Sequence, residues 1–380
     1  MRNFYEFFAG GGMARAGLAT GWNCLFANDF DAKKGLSYAV NWGGDQLHIG
    51  DVAQVQAAML PGKADLVWAS FPCQDLSLAG IGAGLSGSRS GTFWPFLQLM
   101  KKLGQEGRAP HLILLENVCG ALTSHDGKDF SSIVDALVGE NYQVGALVVD
   151  AVSFVPQSRP RLFFVAVHRG AAIPRELVSN VPVRHWHPAG VIDAFNKLSK
   201  NSQDAWLWWR MPMPAVRNTV FADLIEGEPT GVRWHTAEET SRLLDMMSPL
   251  HLEKVARAKQ AGKRVVGTIY RRTRPDAAGG RRVRAEVRFD DIAGCLRTPS
   301  GGSSRQIIML VEGEKVRTRL LSPREAARLM GLPETYQLPE NYNDAYHLAG
   351  DGLAVPVVRY IAAHILEALL DERCTLKIAA

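Results

Sequence analysis

Short β-rich runs alternate with helical stretches over the first 170 residues or so. Strands are predicted at residues 4–8, 24–28, 65–69, 111–115, 144–149 and 162–167. Strands that alternate with helices build a mostly parallel sheet that is covered on both faces. The alternation therefore predicts an α/β fold with a doubly wound, mostly parallel sheet. In an open sheet of this kind, ligands bind at the carboxyl ends of the strands.

The character of the sequence changes after about residue 169, where prolines and tryptophans cluster ahead of an arginine-rich segment. Between Lys263 and Arg288 there are nine basic and two acidic residues, although the whole chain carries a formal net charge of only +5. Arginine dominates there, which favours forked recognition of phosphate or guanine edges. The segment predicts a second, smaller domain that binds nucleic acid; the alternative is a solvated surface hairpin.

The last 60 residues return to helical patterns. A capping box at Ser322–Glu325 with proline at the first helical position predicts a helix that ends at Met330. A second helix with an apolar stripe is predicted from Pro356. Such helices suit the flank of the first sheet, so we predict one discontinuous domain of residues 1–170 and 318–380 and a second domain of residues 171–317.

Composition narrows the class further. A chain of 380 residues with 47% hydrophobic residues can bury a core without staples. Its five cysteines show neither CxxC nor Cys/His ligand spacing, which favours a reducing compartment and neither disulfides nor a metal site. The amino terminus is unlike a signal peptide, and no stretch is expected to span a membrane. We expect a cytoplasmic monomer.

Cys73 stands in Phe71-Pro72-Cys73-Gln74, directly after the predicted strand 65–69. The thiol is therefore expected on a loop at a strand's carboxyl end. Cysteine is a strong carbon nucleophile near neutral pH once its neighbours lower its pKa. The alternative, a small buried hydrophobic side chain, is the more frequent state of an isolated cysteine.

A glycine-rich turn and two acids follow the first three strands. Phe8-Ala9-Gly10-Gly11-Gly12 ends the first strand, and it lacks the GxGxxG spacing of a dinucleotide loop. Asp29 ends the second strand, where an acid can accept from ribose hydroxyls, and the adjacent Phe30 could stack on an adenine. Asp51 ends the probable third strand. Together they favour an adenosyl group; the alternative is a structural turn with two surface acids.

Glu116 follows the apolar run 111–115, so a carboxylate is expected at the same sheet edge as Cys73. Paired with a candidate nucleophile, it is typical of acid–base or hydrogen-bonding apparatus. Arg159 and Arg161 would point to one face if the chain is extended there. They could bind an anion or orient Glu116; otherwise they are a surface pair.

Taken together, the motifs resemble those of the cytosine-C5 DNA methyltransferases, and the resemblance covers nearly the whole chain except residues 169–293. The motifs that carry it, in order, are Phe8-Ala9-Gly10-Gly11-Gly12, Phe71-Pro72-Cys73-Gln74, Glu116-Asn117-Val118, Gln157-Ser158-Arg159-Pro160-Arg161, Ser322-Pro323-Arg324-Glu325-Ala326-Ala327-Arg328 and Gly350-Asp351-Gly352. The resemblance implies a Rossmann-like methyltransferase domain that binds S-adenosylmethionine and a smaller DNA-reading domain.

The resemblance also implies roles for individual residues. The catalytic group would be Cys73, Glu116, Arg159 and Arg161. The cofactor would be bound by Phe8, Ala9, Gly10, Gly11, Gly12, Met13, Asp29, Phe30, Asp51, Val52, Pro72, Asp351 and Gly352. DNA would be contacted by Gln74, Gln157, Arg271, Arg272, Arg274, Arg281, Arg282, Arg284, Ser303 and Arg305.

The expected activity is methyl transfer to C5 of a flipped-out cytosine in a specific double-stranded DNA sequence, through a covalent bond from Cys73 to C6. The chain departs from the family at Asp351, which stands where an asparagine is usual and adds negative charge. A transfer-RNA cytosine methyltransferase and an inactive DNA-binding module are the alternatives. The target sequence and the existence of a restriction endonuclease partner stay open.

Overall fold

The fold is described by a computed structural model for residues 1–72, 90–275, 280–298 and 305–371. These residues form two compact units. Unit 1 contains Met1–Asp150, Pro160–Pro214 and the chain from Val355, and unit 2 contains Ala151–Arg159 and Ala215–Ala354. The units are defined by packing alone. The division into a cofactor-binding and a DNA-reading domain at residues 170 and 318 concerns function and stays a prediction.

Seven strands of unit 1 form one sheet in the order β3-β2-β1-β4-β5-β7-β6. Their bounds are β1 Arg2–Phe7, β2 Trp22–Asp29, β3 Leu47–Ile49, β4 Leu66–Ala69, β5 Leu112–Val118, β6 Tyr142–Asp150 and β7 Pro160–His168. The first five strands pair in parallel, and β7 runs antiparallel to both neighbours. The predicted doubly wound, mostly parallel sheet is confirmed. The strand order reverses between β1 and β4, where such sheets bind ligands.

The remaining strands are short or belong to unit 2. They are β8 Val178–Ser179, β9 Trp208–Trp209, β10 Val265–Pro275, β11 Arg281–Arg288, β12 Ile307–Glu312 and β13 Lys315–Leu320. Strands β8 and β9 pair antiparallel within unit 1. Strands β10 to β13 form an antiparallel sheet in the order β11-β10-β12-β13. The arginine-rich segment is thus a β-hairpin.

Helices flank both sheets. In chain order they are α1 Met13–Leu18, α2 Ala32–Trp42, α3 Phe93–Gln105, α4 Lys128–Gly139, α5 Ala189–Asn196, α6 Lys200–Asp204, α7 Ala237–Asp245, α8 Pro249–Gln260, α9 Pro323–Leu329, α10 Tyr342–Asp351, α11 Val355–Ile361 and α12 Glu367–Leu370. Helix α9 begins as predicted: Ser322 accepts from the Glu325 amide, and the Glu325 carboxylate accepts from the Ser322 amide. Side chains of α7 and α8, including Leu243 and Val255, share a core with one face of the unit 2 sheet.

One segment near the carboxyl end bears on the expectation that no stretch spans a membrane. By length and composition the segment Tyr342–Leu370, with a mean hydropathy of 1.7, is apolar enough to cross a membrane. The structure divides this segment into separate helices α10 and α11. Its apolar side chains Leu348, Val358 and Ile365 are almost completely buried in the protein. The core helix of a water-soluble protein meets the same criteria of length and composition.

A buried ion pair ties β13 to α9 in unit 2. The guanidinium of Arg319 donates to both carboxylate oxygens of Glu325 at 2.6 and 2.7 Å, and both side chains are fully buried. The same carboxylate accepts from the amides of Ser322 and Glu226. Removing one partner of such a pair leaves an uncompensated buried charge.

We predict that Glu325→Gln lowers the free energy of unfolding by about 3–5 kcal/mol, because Arg319 would then be buried without its counter-charge. Urea unfolding of the full chain followed by circular dichroism measures the change. Glu334→Gln is the matched control, since the Glu334 carboxylate pairs with Arg328 at the surface. Exposed pairs contribute about 0–1 kcal/mol. Equal losses in both variants would contradict the prediction.

Candidate active site

A glycine-rich turn with unusual backbone geometry follows β1. Phe8, Gly10 and Gly12 all have positive φ angles, of 57°, 55° and 76°. At Gly12 an added Cβ would lie 2.4 Å from Nε1 of Trp42, so packing alone requires glycine there. At Gly10 an added Cβ would meet nothing within 4 Å. The turn therefore exposes its backbone to open space at Gly10. A left-handed Phe8 is the kind of strain that clusters at ligand sites.

The end of β2 is locked onto this turn by Asp29. Its carboxylate accepts from the amide of Gly10 at 2.7 Å and from the amide of Asp31 at 2.8 Å. Burial raises the pKa of the Asp29 carboxyl, and the two amide donors oppose the shift. Beside it, the ring of Phe30 is 77% exposed. An acceptor fixed in place and an open aromatic face thus lie next to each other at the edge predicted to bind an adenosyl group.

The other predicted cofactor residues of unit 1 lie near the same strand ends. The Asp51 carboxylate accepts from the Ala53 amide at 2.9 Å and so begins a short 3₁₀ turn. Val52, Ala9 and Met13 are buried side chains, whereas Pro72 is half-buried. Gly11 accepts from the Trp42 indole through its carbonyl. None of these contacts identifies a ligand by itself.

Glu6 is not among the site residues predicted from the sequence. Its carboxyl group lies within β1, the strand that leads to the glycine-rich turn. The side chain is 1% exposed, and its Oε2 has no hydrogen-bond partner. Burial raises its pKa to about 8, although the nearby Arg15 guanidinium opposes the shift. Arg15 in turn donates to the Tyr38 hydroxyl at 3.1 Å. The signal in the sequence is an acid within an otherwise apolar strand.

The antiparallel pairing of β5 and β7 brings Glu116 and Arg161 together. Val118 lies opposite Arg161, so Glu116, two residues earlier, shares a face with it. The Arg161 Nε lies 3.1 Å from Glu116 Oε1, and both side chains are largely buried. Strand β5 continues past the predicted end at residue 115, which places Glu116 within the strand. The prediction that an arginine orients Glu116 agrees with this contact.

The chain leading to the predicted nucleophile passes next to β5. Ala69 of β4 pairs with Leu115 of β5, and the side-chain amide of Asn117 donates to the Phe71 carbonyl at 3.2 Å. Phe71 is 2% exposed and packs against Phe93. Cys73 and Gln74 lie outside the described residues. The described chain therefore reaches Pro72 beside the strand that carries Glu116.

Gln157, one of the predicted DNA-contacting residues, has a structural role in unit 2. Gln157 is fully buried; its amide nitrogen donates to the Leu329 carbonyl, and its oxygen accepts from the Leu296 amide. Both ends of its side-chain amide are used inside the protein, and a DNA contact for Gln157 stays a prediction. Nothing in the sequence near Gln157 predicts this structural role.

The spacing of Arg159 and Arg161 predicts that both side chains point to one face of an extended chain. In the structure Arg159 instead has backbone partners of its own. It is 2% exposed and donates to the carbonyls of Leu296, Gly350 and Gly352 at 3.0, 2.9 and 2.7 Å. Two of these carbonyls, those of Gly350 and Gly352, lie where α10 ends and need donors, and the third belongs to Leu296 in the segment after β11. A catalytic part for Arg159 stays only a prediction.

The last cofactor motif lies at the end of α10. The Asp351 carboxylate accepts from the Thr298 hydroxyl, and Gly352 ends the helix. At Gly350 an added Cβ would lie 2.9 Å from the Arg297 backbone, so this motif packs closely on the segment that follows β11. The described contacts explain the glycine, and the cofactor role of Asp351 and Gly352 stays a prediction.

The predicted DNA-binding arginines fall mostly on the β10–β11 hairpin. They are Arg271, Arg272, Arg274, Arg281, Arg282 and Arg284. Arg305 lies elsewhere: its guanidinium stacks 5.4 Å from the Tyr342 ring centroid and donates to Asn343. Ser303 lies outside the described residues. The arrangement concentrates positive charge on one two-stranded ribbon.

Solved structures with the same fold define the class. The chain matches S. pombe Dnmt2 methyltransferase with a TM-score of 0.62, 17% identity and coverage of 98% of this chain and 100% of that one. A putative DNA modification methyltransferase from an E. coli prophage matches with a TM-score of 0.56, 17% identity and coverage of 98% and 99%. The fold is that of the Rossmann-like methyltransferases.

Sequence comparison gives the family. Residues 2–367 match the C-5 cytosine-specific DNA methylase model. The Type II methyltransferase M.NlaX of Neisseria lactamica is 26% identical over 97% of both chains, and M.HhaI of Haemophilus parahaemolyticus is 25% identical over 95% of this chain and 93% of its own length. The chain belongs to the C-5 cytosine-specific DNA methylase family and is a DNA (cytosine-5) methyltransferase. The predicted family and enzyme class are confirmed, and S-adenosylmethionine use follows from family and fold.

We predict that Glu6 makes the stability of the protein fall as pH rises from about 4.5 to about 8. In this window the folded protein keeps a proton that the unfolded chain has released, since the ordinary pKa of the group is 4.5. The free energy of unfolding then falls by at most about 1.4 kcal/mol per pH unit. Glu6→Gln removes this dependence. Urea midpoints at pH 5, 6.5 and 8 should show the variant gaining on the native protein as pH rises; a constant difference would contradict the assignment.

Proposed function

We propose that the protein transfers a methyl group from S-adenosylmethionine to C5 of a flipped-out cytosine in a specific double-stranded DNA sequence, through a covalent bond between Cys73 and C6. The pairing of Glu116 with Arg161, beside the chain that leads to Cys73, is the observation that carries this proposal. It supports a polar group held at the sheet edge where the nucleophile is expected.

The residue types follow from the chemistry of the base. Cytosine C5 is too weak a nucleophile to attack a methyl group directly. A thiolate that adds to C6 converts the ring into an enamine, whose C5 is nucleophilic. After C5 has taken the methyl group, loss of the C5 proton restores the C5=C6 double bond and expels the thiolate. C6 and C5 are inaccessible to this chemistry inside a stacked duplex, so the base must be flipped out.

Other cysteines fit the nucleophilic role less well. Burial raises the pKa of both the Cys24 and the Cys119 thiols to about 11, which keeps them protonated near neutral pH. A thiol must be ionised to attack carbon. Cys119 lies only three positions after Glu116 in the sequence, yet its thiol is unsuited to the task. This contrast supports Cys73.

Glu116 is suited to the Watson–Crick edge of the cytosine ring, where N3 lies. Addition of sulfur to C6 drives electron density toward N3, and a carboxyl group that hydrogen-bonds there in its protonated form stabilises the adduct. Arg161 holds the carboxyl group through Oε1. A group held in position before the reaction needs little reorganisation as charge develops. Arg161 is thus a positioning residue for Glu116.

The turn after β1 and the end of β2 fit an adenosyl cofactor. Gly10 faces open space, Asp29 presents a fixed carboxylate, and Phe30 presents an exposed ring. Asp29 would accept from ribose hydroxyls, and Phe30 would stack on the adenine. S-adenosylmethionine, when bound, supplies an electrophilic methyl group on its sulfonium. Asp51 would accept from the adenine amino group.

The wider setting is also a proposal. The curated relatives are Type II methyltransferases, which favours a cognate restriction endonuclease as a functional partner. Action on genomic DNA in a reducing compartment favours the cytoplasm and agrees with the absence of cysteine spacing typical of disulfide scaffolds.

We predict that duplex DNA with 5-fluorocytosine at the target position traps the enzyme. Sulfur should add to C6 and the methyl group should transfer, but fluorine cannot leave as a proton does. A covalent protein–DNA adduct that survives denaturing electrophoresis should accumulate only with S-adenosylmethionine present. Cys73→Ser should form none, because a hydroxyl is a far weaker nucleophile at neutral pH. Glu116→Gln should form it ~100-fold more slowly or worse.

Peptide mapping of the adduct supplies the control. An adduct on Cys24, Cys119, Cys295 or Cys374 would refute Cys73. The target sequence is first identified by bisulfite sequencing of DNA from cells that express the protein. Methylation of transfer RNA and not of DNA would favour the RNA enzyme, and tight DNA binding without any adduct would favour the inactive module.

We further predict that Asp29→Ala weakens S-adenosylmethionine binding by about 1.5–3 kcal/mol, the range for hydrogen bonds to a charged group. Isothermal calorimetry measures it. Asp31→Ala is the matched control: it removes the same charge two residues away, where the carboxylate caps α2 by accepting from the Lys33 amide. Unchanged affinity in Asp29→Ala would remove this residue from the ribose role.

A further inference from the structure

The β10–β11 hairpin carries its arginines in directly opposed pairs. The antiparallel register is continuous from Thr268 opposite Arg288 to Pro275 opposite Arg281. Within it, Arg272 lies opposite Arg284 and Arg274 lies opposite Arg282. Since side chains alternate between faces along a strand, both pairs project from the same face. We call Arg272, Arg274, Arg282 and Arg284 the arginine face.

The opposite face of the same ribbon has another composition. It carries Arg271, Thr273, Arg281 and Val283. Closer to the core, this row continues into Ile269, Ala285 and Val287, which pack under the helices of unit 2. The two faces therefore differ. One face continues the hydrophobic core, and the other carries four arginines in two adjacent cross-strand pairs.

This arrangement is costly for the protein on its own. Like charges directly opposite each other destabilise a strand pair. Opposite charges facing each other across the two strands would stabilise the ribbon instead. Four cations on one face instead suit a polyanion, and arginine forks suit phosphate and guanine edges.

One carboxylate on the same face partly compensates for the charge. Arg274 donates to the two oxygens of Glu286 at 2.5 and 3.0 Å, and Arg272 Nε lies 3.6 Å from the same carboxylate. Glu286 lies opposite Tyr270, four residues along the strand from Arg274. At about 3.3 Å per residue this offset is roughly 13 Å of ribbon, which the Arg274 and Glu286 side chains span together. The Arg274 side chain therefore lies along the arginine face.

We propose that the arginine face binds the DNA duplex and that Glu286 is an internal anion, which holds Arg274 until DNA displaces it. This inference rests on the proposed function and assigns it a surface. A two-stranded ribbon fits the major groove of B-form DNA, whereas the deep, narrow major groove of A-form RNA excludes it. Glu286 competes with every phosphate equally, so it weakens non-specific binding and leaves discrimination to the base contacts.

The Glu286–Arg274 contact is easy to exchange. Side chains of Arg272 and Arg274 are 53% and 48% exposed, and that of Glu286 is 21% exposed. An ion pair this close to solvent contributes little to stability, and salt screens it further. DNA phosphates can therefore replace the carboxylate without unfolding the ribbon.

The first experiment separates binding from folding. Arg282→Gln/Arg284→Gln should lower the salt slope of DNA binding by about two units and weaken binding about 50-fold at 0.1 M salt. The same variant should melt at a higher temperature than the native protein at low salt, because opposed charges are gone, and this gain should vanish at 1 M salt. A fall in melting temperature at low salt would overturn the repulsion argument.

Two comparison variants test the choice of face. Lys254→Gln/Arg257→Gln removes two charges from α8, outside every proposed contact, and should leave the salt slope unchanged. Arg271→Gln/Arg281→Gln removes two charges from the opposite face of the ribbon and should weaken binding less than half as much, on a logarithmic scale, as the arginine-face variant. Equal losses from both faces would overturn the assignment of the arginine face.

Glu286→Gln tests the internal anion. It should raise affinity for duplex DNA of any sequence about 3–10-fold and steepen the salt slope by up to about one unit. Weaker binding would overturn the proposed role and indicate that the carboxylate itself contacts DNA. Duplex RNA of matched sequence serves as the second probe, and an equal gain on RNA would refute major-groove binding.

Methyl transfer from labelled cofactor, measured on the same proteins, separates the two hypotheses. If the native enzyme methylates duplex DNA while Arg282→Gln/Arg284→Gln binds DNA as the native enzyme does, only the arginine face is refuted. If the native enzyme binds DNA through this face but methylates no DNA, the proposed function fails instead.

Discussion

Burial of the parallel sheet on both faces is the constraint on which the candidate site depends. In β4 and in the first part of β5 every side chain from Leu66 to Ala69 and from Leu112 to Leu115 is almost completely buried. Water and ligands cannot reach the middle of such a sheet, so polar chemistry collects where strands end. The turn after β1, the end of β2 and the segment after β4 all occupy that edge. Because polar groups are excluded from the middle of the sheet, the candidate site lies at this edge.

Glu6 and Glu116 are buried carboxyl groups within strands of this sheet, and their environments differ. Glu6 lies inside β1, where burial raises its pKa to about 8 although the nearby Arg15 guanidinium opposes the shift. Glu116 lies inside β5 but is paired with Arg161. A buried carboxyl group either gives up its charge or acquires a partner. The contact with Arg161 holds the Glu116 carboxyl group in one orientation at the site, while Glu6 lies in the strand that leads to the glycine-rich turn.

Arginine serves opposite purposes in unit 2. Arg319 and Arg159 are buried; the first donates to the Glu325 carboxylate and the second to three carbonyl groups. The arginines of the β10–β11 hairpin are mostly exposed, and four of them face each other in two cross-strand pairs. The buried guanidiniums fix the fold through many short contacts. Glu286 offsets only part of the charge of the arginine face, and the excess positive charge suits a surface whose counter-ion is the substrate.

Sequence alone determined the strand–helix alternation, the glycine turn, the α9 capping box and the family, because each depends on residues close together in the chain. The strand end at Asp29 could be placed for the same reason, whereas β3 ends at Ile49, two residues before Asp51. Only the tertiary structure decided which distant residues meet. The β5–β7 register joins Arg161 to Glu116, the burial of Gln157 and Arg159 gives them internal partners, and the β10–β11 register sorts six arginines onto two faces. Local patterns fix which face of a strand a side chain occupies; what that face meets depends on pairing and packing between segments far apart in the chain.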